Sequence, residues 1–145
     1  MFKKEKTMKA ILSFCLLIFI ISCTTTKNST IKSGKLNGTW VPTKQEMGGA
    51  LLPKAAYELQ KLTITNDSNY TFVAESVDKG IIRYHGDKMD IYGKVGVNSG
   101  KHFTALYKLE NQQLTICYNL LGDSYPESYD TKGKPMYLLS VFKKE

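Results

Sequence analysis

Eight short segments in which apolar and polar residues alternate constrain this chain more than any other feature. They lie near 38–46, 60–66, 69–76, 78–85, 88–95, 102–109, 112–119 and 136–143. The alternation is clearest at Leu62/Ile64, Tyr70/Phe72, Met89/Ile91, Ala105/Tyr107 and Leu114/Ile116/Tyr118. Successive side chains of a strand point to opposite faces, so period 2 means one apolar face and one wet face. Tight-turn signals separate several of the segments: "NDSN" at 66–69, "HGDK" at 85–88 and "ENQQ" at 110–113. One helix is predicted, over "LPKAAYELQ" at 52–60, with Pro53 suited to a first turn. Eight sequential antiparallel strands with one short helix predict an all-β, up-and-down antiparallel barrel, which closes on itself and removes its exposed edges.

The connections give this barrel two different ends. If the first strand runs upward, connections two, four and six lie at the bottom, and these are the three tight turns. The two longest, about 47–59 and 120–135, are the first and seventh, and both lie at the top. One end is therefore expected to be sealed and the other to carry two long flaps, with the helix near the mouth. The first strand starts, and the last one finishes, at the sealed end.

The chain begins with "MFKKEKTMK", four lysines and one glutamate, followed by thirteen uncharged residues, "AILSFCLLIFIIS". A basic region followed by an apolar run of this length is a secretory signal. It is too short to span a bilayer, which takes about 20 apolar residues. The run ends Ile20-Ile21-Ser22-Cys23, which resembles a bacterial lipobox. That resemblance implies removal of 1–22 and acylation of Cys23 as the new N-terminus. Two or three acyl chains give lasting membrane attachment where one is marginal. The aspartate that signals inner-membrane retention does not follow the cysteine; Thr24 does. The acidic residues typical of surface-exported bacteroidete-type lipoproteins are also missing, since the first acid is Glu46. These resemblances imply the outer membrane, on its periplasm-facing leaflet.

Residues 24–35, "TTTKNSTIKSGK", are polar and have no packing face. As a flexible coil they span roughly 20 Å. The predicted organisation is thus a signal at 1–22, a lipidated tether at 23–35 and one domain at 36–145, large enough for one modest core. Without the signal, 16 basic and 12 acidic residues remain, a net charge of +4 against +7 for the whole chain. The remaining lysines are scattered and Arg83 is the single arginine, so the sequence does not point to nucleic acid. Of the three cysteines, Cys15 leaves with the signal and Cys23 is acylated. Cys117 is then left without a disulfide partner and reads as a small buried hydrophobe in "LTICYN".

"LNGTW" at 36–40 contains the Gly38-x-Trp40 pattern that opens lipocalins. The whole of 36–145 resembles a lipocalin-like domain of unknown function first described in planctomycete proteins. The resemblance is carried by Gly49 and Leu52-Pro53, "LTIT" at 62–65, Tyr70 and "DKG" at 78–80. It continues through Tyr107, Leu109, Leu114, Ile116 and Cys117, then Pro126-Glu127 and the closing "YLLSVFKK". The family's long insert before the sixth strand is short here, and Tyr125 stands where an arginine is common. The resemblance implies the lipocalin-like barrel and no established activity. It also implies that Trp40 plugs the closed end beneath a basic side chain. Topology brings Lys143 and Lys144 there, and Gly38, Trp40 and Lys143 are taken as the plug.

His85-x-Asp87-x-x-Asp90 spans a predicted hairpin turn, where such residues serve turn chemistry, and a metal site needs three or four convergent ligands. No Ser-His-Asp or Cys-His set can be assembled. No catalytic role, metal or cofactor is therefore assigned, and the protein is not expected to be an enzyme. Two readings remain. A hollow barrel would take a small apolar or amphipathic ligand, with Tyr57, Tyr125 and Tyr129 as aromatic contacts on the flaps and Tyr107 and Tyr118 below them. A filled barrel would leave the flaps to contact another envelope protein. Eight strands enclose either a packed core or one small ligand, and a connected void above about 300 Å³ separates the two. A monomer is expected in either case.

Overall fold

A computed structural model describes residues 35–145. The signal at 1–22, Cys23 and the tether up to residue 34 lie outside the described residues. The strands are β1 (Gly38–Met47), β2 (Ala50–Leu51), β3 (Lys61–Thr65), β4 (Asn69–Val73), β5 (Val77–His85), β6 (Lys88–Val95), β7 (His102–Glu110), β8 (Gln113–Asn119) and β9 (Tyr137–Lys144). Every pairing is antiparallel. β1 and then β3 to β9 follow one another in order, and β9 pairs back onto β1. The result is a closed eight-stranded up-and-down barrel, with β2 as a two-residue addition to the upper end of β1.

The three tight turns close one end. Asn111-Gln112 joins β7 to β8 with both residues at positive φ, the conformation that suits the twist of a two-residue hairpin. Gly86 and Asn66-Asp67 supply positive φ in the other two. At this end Trp40 is 1% exposed and donates its indole N–H to the Leu36 carbonyl at 2.8 Å. Ile64 and Leu114 complete the floor. The cation above the indole is Lys144, 5.5 Å from the ring centroid, rather than the expected Lys143. Lys144 pairs with Trp40 and shares its face; Lys143 pairs with Val41, one residue along, and alternates to the outside. Gly38 makes room for this cover. Its φ is +128°, and a Cβ there would lie 2.5 Å from the Lys144 Cε.

Two expectations need correction. The helix predicted at 52–60 is only a 3-10 turn at Lys54–Ala56, entered from an extended Pro53. None of its residues is buried and Leu59 is 81% exposed, so the segment has no packing face, and short helices owe their stability to one. The connection 120–136 leaves the open end as expected but does not hang over the mouth. It folds back as a strap along the outer wall. Thr104 Oγ1 donates to the Ser124 carbonyl, the Asn119 amide donates to Asp123 at 2.7 Å, and the Tyr125 hydroxyl donates to Asp90 at 2.7 Å. The Gly49 N–H donates to Thr131 at 2.9 Å, tying the strap to the first connection. The strap accounts for the burial of Leu106 and Cys117, which occupy outward positions on β7 and β8.

Candidate functional site

Above the Trp40 floor the inward side chains line a cavity of about 480 Å³ at the end opposite the tight turns. Its wall is mostly apolar: Leu62, Phe72, Ile82, Met89, Phe103 and Ile116 are typical. The core residues nearest the tight turns, among them Ile64, Tyr107 and Leu114, lie below it. The space is open at the mouth, so it is one that water or a ligand fills.

Glycines shape the cavity on its β5–β6 side. Gly80 pairs with Tyr70 on one side and Gly93 on the other. A Cβ on Gly80 would lie 2.6 Å from the Tyr70 ring and 2.0 Å from the Tyr92 carbonyl. The glycine thus lets the Tyr70 ring lie across the strand and into the interior.

The polar lining is sparse and mostly self-satisfied. At the rim the buried Asp78 carboxylate accepts from the Asn98 backbone N–H at 3.0 Å and its side-chain amide at 2.9 Å. Lys101 Nζ donates to Asn98 Oδ1 at 3.1 Å, so one asparagine ties both charged groups together. Across the mouth the Gln45 amide donates to Gln60 at 2.7 Å and to Ser140 at 3.1 Å. This bond bridges the gap where β1 parts from β3 above the Trp40–Leu62 pair. Tyr70 and Tyr118 are the two tyrosines of the lining. Burial pushes the Tyr118 pKa up, with Tyr70 and Tyr84 adding to it, and burial followed by Asp78 does the same for Tyr70. Both phenols stay protonated at neutral pH.

Large aliphatic side chains ring the opening. Leu51 and Leu59 lie on the first connection, Val73 and Val77 flank the next, Val95 and Val97 the third, and Leu121 and Met136 the last. These are the exposed large hydrophobics of the described residues, and they all sit at the open end. Exposed apolar side chains gathered at one end mark it as a candidate binding region.

Of the five tyrosines predicted as ligand or partner contacts, only Tyr118 lines the cavity. Tyr107 lies beneath it, donating to the Gly86 carbonyl at 2.9 Å and meeting Tyr84 edge to face at 5.4 Å. Tyr57 donates to the Thr43 carbonyl at 3.3 Å and pins the first connection to β1. Tyr125 and Tyr129 sit on the outer wall beneath Lys88 and Lys108, 5.0 and 5.2 Å from their ring centroids. Burial pushes the Tyr129 pKa up to about 12, and the bond to Asp90 does so for Tyr125. Gln45, Asp78, Asn98 and Ser140 were not anticipated as lining. Asp78 was within reach, because it shares the inward parity of Gly80, Ile82 and Tyr84.

On the outer wall His102 Nε2 lies 2.8 Å and His85 Nε2 3.2 Å from the Asp90 carboxylate, which also accepts from Tyr125. Burial alone would raise the Asp90 pKa, but the bonds from Tyr125 and His102, with the two imidazoles, outweigh it and hold the carboxyl below its ordinary range. Among the described residues no group of three His, Cys, Asp or Glu side chains is placed to hold a metal ion. Burial raises the Cys117 pKa to about 11, so this thiol is not a poised nucleophile.

No family model matches this chain, and no curated protein or solved structure matches it. The fold is compatible with a lipocalin-like barrel. That description rests on closure, strand order and a mouth opposite a tryptophan-sealed floor.

Proposed function

We propose that the protein is an outer-membrane-tethered lipoprotein whose barrel binds a small apolar or amphipathic ligand, as a monomer and without catalysis. The cavity of about 480 Å³ carries this reading, because it falls within the roughly 300–1,000 Å³ of small-molecule sites and has an apolar wall with few polar groups. The exposed aliphatic side chains at the mouth support it, because they put apolar surface at the cavity's entrance. The lipobox-like "IISC" supports the anchor, and the L-x-G-T-W resemblance supports kinship with the lipocalin-like family of unknown function. The first strand starts at the sealed end, so a lipidated segment ahead of it would leave the mouth pointing away from the membrane. The alternative, a filled barrel acting through its flaps, loses support from the cavity and from the strap that holds Tyr125 and Tyr129 against the wall.

Titration of the purified protein with a fluorescent apolar probe such as N-phenyl-1-naphthylamine tests the reading. Saturable one-to-one binding is expected. It should be lost in Ile116→Trp, which fills the cavity, and retained in Tyr129→Phe on the outer wall. A folded protein that shows no saturable binding would refute the proposal.

A further inference from the structure

Tyr70 and Tyr118 line the cavity, and neither hydroxyl hydrogen-bonds any described residue. Just below, the Tyr84 hydroxyl is buried and also lacks a partner among the described residues. Tyr70 and Tyr84 are both near enough to Tyr118 to act on it electrostatically. The barrel therefore carries in its interior a group of phenols whose hydroxyls hydrogen-bond no described residue. Elsewhere in the lining the polar groups bond one another, Asp78 and Lys101 through Asn98, and Gln45 with Ser140.

Buried polar groups normally find partners, and a hydrocarbon that displaced water from these hydroxyls would leave them unpaired. The occupant must therefore bring an acceptor. Its charge follows from the surroundings. Both charged lining residues sit at the rim and are already paired, and no cation lines the cavity beside the phenols. A carboxylate at that depth would be an uncompensated buried charge, which is strongly disfavoured. A neutral oxygen carries no such cost. A carbonyl oxygen has two lone pairs and can accept from two phenols.

We propose that the cavity selects a neutral, largely apolar molecule bearing a carbonyl group, as in a ketone, ester or quinone, whose oxygen accepts hydrogen bonds from Tyr118 and Tyr70. This rests on the cavity being a ligand site, and it adds the chemical class of the ligand.

The test uses two probes of nearly equal shape, 2-acetylnaphthalene and 2-isopropenylnaphthalene, which differ by a carbonyl oxygen in place of a methylene. Competition against the fluorescent probe gives both affinities. The ketone should bind the wild type about five- to tenfold more tightly, the worth of one to two neutral hydrogen bonds. Tyr118→Phe should remove most of that preference, Tyr70→Phe part of it, and the hydrocarbon should bind all three proteins alike. Because these hydroxyls are unpaired in the fold, both variants should melt with the wild type. The carbonyl stretch of the bound ketone gives a readout independent of any variant, and it should move to lower frequency than in hexane. If both probes bind equally, or if the preference survives in Tyr70→Phe/Tyr118→Phe, the carbonyl assignment is wrong while the ligand-binding reading stands. If neither probe binds the folded protein, both fail. An unshifted carbonyl band also overturns the assignment.

Discussion

Trp40→Ala tests the sealed end most directly. The side chain is 1% exposed, its N–H is bonded to the Leu36 carbonyl, and Lys144 lies over its face. Removing a buried tryptophan costs about 3–5 kcal/mol, and the range already includes most of the cavity left behind. The Leu36 carbonyl that loses its donor is itself buried and adds to the loss, so about 4 kcal/mol is a fair expectation for the whole change. With an unfolding entropy of roughly 2.1 cal/mol/K per residue over the barrel domain, that lowers the Tm by about 17 °C. Far-UV circular dichroism should follow the melt, because Trp40 is the only tryptophan and fluorescence disappears with it. Lys144→Met separates the cation from the ring and should cost only about 0.5–1 kcal/mol. Lys143→Met, on the outer face, should leave the midpoint unchanged. A Trp40→Ala midpoint within a few degrees of wild type would refute the plug. Equal losses at both lysines would refute the register that places Lys144 over the ring.

The remaining tests concern the anchor, the strap and orientation. Cys23→Ser should leave an unprocessed, non-acylated precursor, and normal mature mass with normal membrane fractionation in that variant would count against lipidation. Asp90 has a depressed pKa in the fold, so its contribution to stability is complete above its ordinary value of 3.8 and is lost as pH falls through the lower folded value. Asp90→Asn should therefore lower the Tm at pH 7 and flatten its fall in acid, and an acid limb identical to wild type would show that Asp90 does not hold the strap. Spin labels at Leu59 and Val97, on the open end, should lie farther from the lipid headgroups of the anchored protein than a label at Gln112. The reverse order of depths would overturn the orientation.

Much of the architecture was written locally and could be read without the fold. Period 2 belongs to each strand by itself, so Leu62/Ile64 or Leu114/Ile116/Tyr118 declare their inward face before any partner is known. Turn chemistry is local too, and short loops at 66–68, 86–87 and 111–112 were enough to decide which end is closed and to place Trp40 there. Other features depend on contacts far apart in the chain. Tyr125 meets Asp90 across 35 residues, and nothing around Tyr125 says that its connection folds down the wall. The one hint was that Leu106 and Cys117 are apolar on the outward side of their strands, which implies a cover. The segment 52–60 has helical composition, but only packing could have sustained a helix so short, and the fold offers it none. Whether the barrel is hollow was beyond the sequence for a similar reason. The alternation specifies which side chains point inward, while the volume left between them depends on how closed strands tilt and how rings such as Tyr70 lie over Gly80, and closure alone decides that.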